Sequence, residues 1–171
     1  MAIIYRTDGS ILIEYDESPS RINWESVSFR SAQLSHLNMS TTFAQGADFS
    51  DSDMTGVDLY WATLIECNFS KCLLSGSCLQ GCNLSRSKVC NSDLRNAQFD
   101  FNALGTLTRL EGADLSGANL AGALFTRATY DDLTKVPETF DPASHGMIYI
   151  RSTLTEDEKV SLRRAYRPVT T

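Results

Sequence analysis

Few residues of this 171-residue chain have the types and spacing that bond-making chemistry needs. Its two histidines, His36 and His145, lie far apart, and neither belongs to the His-Glu-x-x-His pair that would hold a catalytic zinc. No Gly-x-Ser-x-Gly elbow and no phosphate-cradling P-loop occurs. Cys67, Cys72, Cys78, Cys82 and Cys90 are odd in number and never fall at Cys-x-x-Cys spacing, so they read as thiols, not as a disulfide or zinc framework. What remains is recognition. One candidate set is acidic: Asp53, Asp93 and Asp114, flanked by Asp48, Asp51 and Asp58. Carboxylates in regular array can stand in for the phosphates of DNA. The other set is apolar: Phe43, Tyr60, Trp61, Ile65 and Phe101, aromatic and aliphatic side chains of the kind that anchor protein contacts.

The elements that would position these residues follow from one periodicity. From Trp24 a large apolar residue recurs every fifth position, through Phe29, Leu34, Met39, Phe49, Met54, Leu59, Leu64, Phe69, Leu74, Leu79, Leu84, Val89, Leu94, Phe99 and Leu104, with Ala44 alone interrupting. Two positions before most centres stands a small residue, among them Ala32, Ala47, Ser52, Cys67, Cys72, Ser77, Cys82, Ser87, Ser92 and Ala97. The series slips by one residue between Leu104 and Leu110, then resumes at Leu115, Leu120, Phe125 and Tyr130.

Period five fits neither the 3.6 of an α-helix nor the 2.0 of a straight strand. The chain must therefore turn in every block. Four short sides close a square coil of about twenty residues, and coils stack about 4.8 Å apart like strands of a sheet. Both the centre and the residue two before it then point inward, and the second must be small because two inward side chains per side crowd the interior. The glycines Gly112, Gly117 and Gly122 recur at the repeat period, which makes them corners and not a phosphate loop. Asn38-Met39-Ser40, Asn68-Phe69-Ser70 and Asn83-Leu84-Ser85 match the glycosylation triplet for the same repetitive reason.

On this coil Phe29, Phe49 and Phe69 stack as a ladder, Asp53, Asp93 and Asp114 share one column, and Phe43, Tyr60, Trp61 and Ile65 gather at one corner with Phe101 two coils below Trp61. Cys67, Cys72 and Cys82 take the small inward position, where cysteine behaves as a small hydrophobe. The expected fold is all-β: a right-handed quadrilateral parallel β-helix of about 5.5 coils over residues 21–132. Residues 1–20 are expected to cap it as a β-hairpin through Asp8-Gly9, and residues 133–171 as a tail with a short α-helix, begun by the capping-box spacing Thr155-Glu156-Asp157-Glu158.

The units Ala47-Asp48-Phe49-Ser50-Asp51, Ala113-Asp114-Leu115-Ser116-Gly117 and Ala118-Asn119-Leu120-Ala121-Gly122 resemble the A-(D/N)-L-x-x unit of the pentapeptide-repeat family. The resemblance covers about two thirds of the chain. It implies the right-handed square β-helix and a largely bacterial family in which most functions are unknown and one subset, linked to quinolone resistance, mimics DNA and binds type II topoisomerases. Ala44 at a centre, Asn102 at an inward position and the slip from Gly105 to Arg109 depart from the pattern; the slip reads as a bulge or small loop.

A formal net charge of -6 argues against nonspecific attraction to nucleic acid or anionic lipid. With no apolar run near the eighteen or so residues needed to span a bilayer and no secretory pattern at the start, a cytoplasmic location is expected. The reading is then a non-enzymatic scaffold without cofactor or metal, which binds a protein of unknown identity as a monomer or weak dimer. The alternative is a DNA mimic directed at gyrase.

Overall fold

The computed structural model describes residues 2–15, 19 and 22–151, and no α-helix occurs among them. The expected helix from Thr155 lies outside the described residues. Strands β1 (Ala2–Tyr5) and β2 (Ile11–Tyr15) pair antiparallel through the turn at Gly9. From Asn23 onward the chain is a parallel β-helix, in which single bridges join residues twenty apart: Asn23 to Phe43, Ser28 to Asp48, Gln33 to Asp53, Asn38 to Asp58, and so on through Cys78 to Gln98.

Each block turns the same way. The residue after the corner donates its N–H to the carbonyl of the preceding centre, as Val27 does to Trp24 at 3.0 Å and Ala62 to Leu59 at 3.0 Å. The third residue of each such turn has φ near +60°, which includes Ser26, Thr41, Trp61, Glu66, Lys71 and Arg86 besides glycines. A left-handed third residue is what a type II turn requires. The Asp or Asn before each centre locks the turn from outside: Oδ1 of Asp48, Asp53, Asp58, Asn68, Asn83 and Asp114 accepts the N–H two residues on, at 2.9–3.1 Å. Inside, most of the small polar residues are bonded as well, the buried Ser77 hydroxyl being an exception. The hydroxyls of Ser52 and Ser92 and the thiols of Cys67, Cys72 and Cys82 donate to the carbonyl twenty-three residues earlier, at 2.6–2.8 Å.

The core is the axis. Phe29, Phe49 and Phe69 stack with centroids 5.0 and 4.9 Å apart, the ladder expected from the sequence. Both ends are plugged. At the first coil Ile4 of β1 is buried, and Arg6 bridges antiparallel to Ala32. At the last, Phe125 stacks under Phe99 at 4.6 Å and Phe140 closes edge-on at 5.1 Å. Strand β4 (Ile148–Tyr149) then pairs parallel with β3 (Thr129–Tyr130).

One expectation fails at the slip. Asn83 bridges Arg109, Lys88 bridges Asp114, Asp93 bridges Asn119 and Gln98 bridges Leu124, each twenty-six residues apart, six more than elsewhere. The irregularity is a six-residue insertion, and Leu104 is no core centre: it is 71% exposed, whereas Leu110 is fully buried. Thr108 takes the inward small position, its hydroxyl reaching the carbonyl of Leu79 twenty-nine residues earlier, the usual twenty-three plus six. The extra residues are thus 102–107. Asn102, buried, organises them by accepting N–H groups of Leu104 and Thr106 on its Oδ1 at 3.0 and 2.9 Å.

Candidate functional site

The insertion dissolves the acidic column. Asp53 and Asp93 do share a column, with Leu73 between them, but the next residue in it is Asn119. Asp114 sits instead on the neighbouring face, below Lys88 and above Lys135. The six added residues set every later block one face back from where an even count with a one-residue slip places it. The carboxylates are also committed. Arg95 grips Asp93 through Nε and Nη2 at 2.7–3.1 Å, and those hydrogen bonds hold the Asp93 carboxyl below its usual range. Burial pushes Asp114 upward, but the Lys135 ammonium at 2.8 Å and the Ser116 hydroxyl and N–H outweigh it and leave its pKa lowered. Asp51 pairs with Arg30 at 3.0 Å. Such acids fasten the repeat to itself.

The apolar set is brought together in part. Trp61 occupies the left-handed turn position between two faces, with Thr41 one coil above and Gly81 one coil below. Phe43, directly above Thr63, lies on the face that this corner opens. Trp61 is 47% exposed, Phe43 41% and Phe101 38%, while Tyr60 and Ile65 are half-buried. Phe101 stands on the same corner two coils below Trp61, under the Arg127 guanidinium at 5.1 Å from the ring centroid. Between them Gly81 has φ +70°, and a Cβ built there meets Asn102 Nδ2 at 2.6 Å, so only glycine lets the insertion seat against the corner. Leu73, Leu104 and Leu124 are exposed too. The corner differs from these leucines in being aromatic, with Trp61 and Phe101 two coils apart and Phe43 on the adjoining face.

The same face carries a groove that the repeat pattern does not reveal. It holds about 640 Å³ and runs below Ile65, over a floor of Asn83, Ser85, Arg109, Glu111 and Thr129. One wall is the insertion, through Thr106 and Leu107; the other is formed by Leu133, Ile150 and Arg151 near the end of the described chain. Glu111 is held from three sides, by the Ser85 hydroxyl at 3.1 Å, the Thr129 hydroxyl at 2.6 Å and Arg109 Nε at 3.3 Å. Arg86 reaches Glu66 at 2.9 Å.

Nothing in this region resembles a reaction centre. Among the described residues no group of three His, Cys, Asp or Glu side chains is placed to hold a metal ion. Burial pushes the Cys67 and Cys72 thiols up to about 12 and raises Cys82 and Cys78 as well, which keeps these sulfurs protonated and poorly nucleophilic. His145 stacks on Phe140 at 4.2 Å, and His36 packs over Gly56. No described helix is long and apolar enough to cross a membrane.

Comparison with known proteins agrees with this architecture. A family model described as pentapeptide repeats matches in eight copies, over residues 28–70, 45–81, 67–101 and 106–129, more than half of the chain. The search of curated proteins found no match. Among solved structures, the pentapeptide repeat protein Rfr23 of the cyanobacterium Cyanothece 51142 is 24% identical, with 67% of this chain and 65% of that one covered and a TM-score of 0.46. A pentapeptide repeat protein of the Arabidopsis thaliana thylakoid lumen is 22% identical over 83% of this chain and 74% of that one, with a TM-score of 0.27. QnrB1, described as a plasmid-mediated fluoroquinolone resistance protein, is 15% identical over 78% and 82%, with a TM-score of 0.31. The chain thus spans slightly less than two thirds of the Rfr23 chain.

Proposed function

Because the chain belongs to the pentapeptide-repeat family, whose repeats form a right-handed β-helix, we propose that it is a non-enzymatic scaffold that binds a protein partner through one face of that helix. The observation that carries this reading is the exposure of three aromatic side chains, Trp61 and Phe101 on one corner and Phe43 on the face beside it. Exposed aromatics at a rigid, preformed surface bind without the ordering cost that a flexible loop incurs. Trp61 adds a second mark. A left-handed backbone costs an L-residue roughly 1–2 kcal/mol, so a bulky indole there, half in water, does little for folding.

The reading includes a four-sided helix of about 5.5 coils over residues 21–132, with 1–20 and 133–171 as end pieces, supported by bridges twenty residues apart and a turn every fifth residue. Ends plugged by Ile4 and Phe140 favour a monomer or weak dimer. Gyrase-directed DNA mimicry is the weaker reading, because Asp93 and Asp114 are ion-paired and stand on different faces.

The test compares the protein with Trp61→Ala and with Leu73→Ala, exposed on the opposite face. Capture of a specific host protein should be lost with Trp61→Ala and kept with Leu73→Ala. Equal capture by both variants refutes the corner as the contact site, and inhibition of gyrase supercoiling by the unmodified protein restores the mimic.

A further inference from the structure

The exposed corner runs down the helix as Trp61, Gly81, Phe101 and Arg127, one residue per coil. Trp61 and Phe101 are exposed, and Gly81 between them adds no side chain. Coils stack about 4.8 Å apart, so the two aromatic positions are about 9.6 Å apart along the axis.

That spacing selects among ligand backbones. A polyproline II segment has three residues per turn and rises about 3.1 Å per residue, which sets residues i and i+3 on one edge about 9.3 Å apart. A β-strand turns i and i+3 to opposite faces, and its same-face residues recur at about 7 and 13 Å. An α-helix brings i and i+7 to about 10.5 Å, but its carbonyls are already bonded within the helix.

The polar groups of the corner need free carbonyls. Among the described residues Trp61 Nε1, the Tyr60 hydroxyl and the Arg127 guanidinium have no hydrogen-bond partner, and indole and guanidinium can only donate. The acceptors nearby are engaged: Asp100 Oδ1 takes Gln80 Nε2 at 2.8 Å, and Asn102 Oδ1 takes two N–H groups. A proline-rich segment is the complement of such a surface. In polyproline II form it bonds none of its carbonyls internally, and each proline lacks the N–H that would ask for an acceptor.

We propose that the partner engages this corner through a proline-rich segment in polyproline II form. It lies along the helix axis, with prolines three apart packed on Trp61 and Phe101 and carbonyls turned to the Trp61, Tyr60 and Arg127 donors. Being already extended, the segment loses little freedom when it docks on aromatic side chains. This inference rests on the corner being the contact site and names what the partner brings to it.

Fluorescence anisotropy with the full chain tests it. One fluorescein-labelled twelve-residue peptide carries four Pro-Ala-Ser triplets; a second, of equal length, carries three Pro-Ala-Ser-Ala quartets. The first should bind saturably and at least tenfold more tightly than the second. Trp61→Ala and Phe101→Ala should each weaken it at least tenfold, Arg127→Gln more mildly, and Leu73→Ala on the opposite face not at all, with circular dichroism confirming that the variants fold. Absence of saturable binding up to millimolar peptide, equal affinity for the two spacings, or indifference to Trp61→Ala overturns the proposal. Should the peptides fail while Trp61→Ala still abolishes capture of a host protein, the proline-rich occupant is wrong and the corner stands; if capture survives as well, both readings fall.

Discussion

Replacing Leu104 and Leu110 separately by alanine measures the insertion directly. An even five-residue count with a one-residue slip makes both leucines core centres and predicts equal losses. In the structure Leu110 is fully buried on the helix axis, and Leu→Ala at such sites costs about 2–5 kcal/mol, the lost transfer energy plus the cavity left behind. Leu104 is 71% exposed in the inserted segment, so its truncation belongs with surface substitutions, within about 0.5 kcal/mol. The expected gap is therefore at least about 1.5 kcal/mol. At roughly 2–4 °C per kcal/mol for a chain of this size, Leu110→Ala should melt at least 3 °C below Leu104→Ala. Urea unfolding followed by circular dichroism reads the same difference as a shift of midpoint. Equal midpoints for the two variants would refute the six-residue insertion and restore Leu104 to the core.

Deleting residues 102–107 joins Phe101 to Thr108 and should leave a folded helix with uninterrupted bridges, observable as an unchanged circular dichroism spectrum, while removing the groove wall at Leu107. Gly81→Ala and Gly76→Ala both place a side chain at positive φ, but only the first drives a Cβ into Asn102; Gly81→Ala should be clearly the less stable by thermal unfolding. Thiol titration at pH 8 should show Cys67, Cys72 and Cys82 as a slow class that reacts only on unfolding, since burial shields all three sulfurs from reagent and raises their pKa further from the working pH. Asp93 and Asp114 have folded pKa values below the ordinary 3.8, so their contribution is present above that value and lost as pH falls through the folded values. Asp114→Asn should accordingly make the acid limb of the stability curve shallower, and an unchanged limb would refute the Lys135 pairing.

The core was legible because each centre is both large and periodic, and periodicity forces the turn at every fifth residue. The Phe29–Phe49–Phe69 ladder follows from that alone. The insertion was not legible, because it imitates the repeat. Leu104 stands five residues after Phe99, and Asn102 stands at the small inward position, so apolar spacing alone mistakes a loop for a side. Only the bridges from Asn83 to Arg109 and the long reach of the Thr108 hydroxyl expose the six-residue difference. The polar Asn102 and Gly105 were the sequence's own signals. Trp61, by contrast, was placed on its corner by counting alone; its left-handed backbone and half exposure are tertiary facts.

A repeat of this kind spends its regular positions on recognising itself. The inward centre fills the axis, a serine or cysteine at the small position bonds the carbonyl of the coil before, as Ser52 does, and the acid before the centre ties down its own turn, as Asp48 does with Ser50. Even the surface charges close on neighbours, Arg95 on Asp93 and Lys135 on Asp114. A partner that read only the regular positions would find the same motif on every side and coil and could fix no register. Specificity must come from the departures: a ring where turns carry small or polar residues, six residues too many, a final strand that leaves the repeat. In this chain those departures converge. Trp61 and Phe43 head the face that residues 102–107 wall on one side and Ile150 and Arg151 wall on the other, and there a single orientation of a bound segment can be distinguished from all the others.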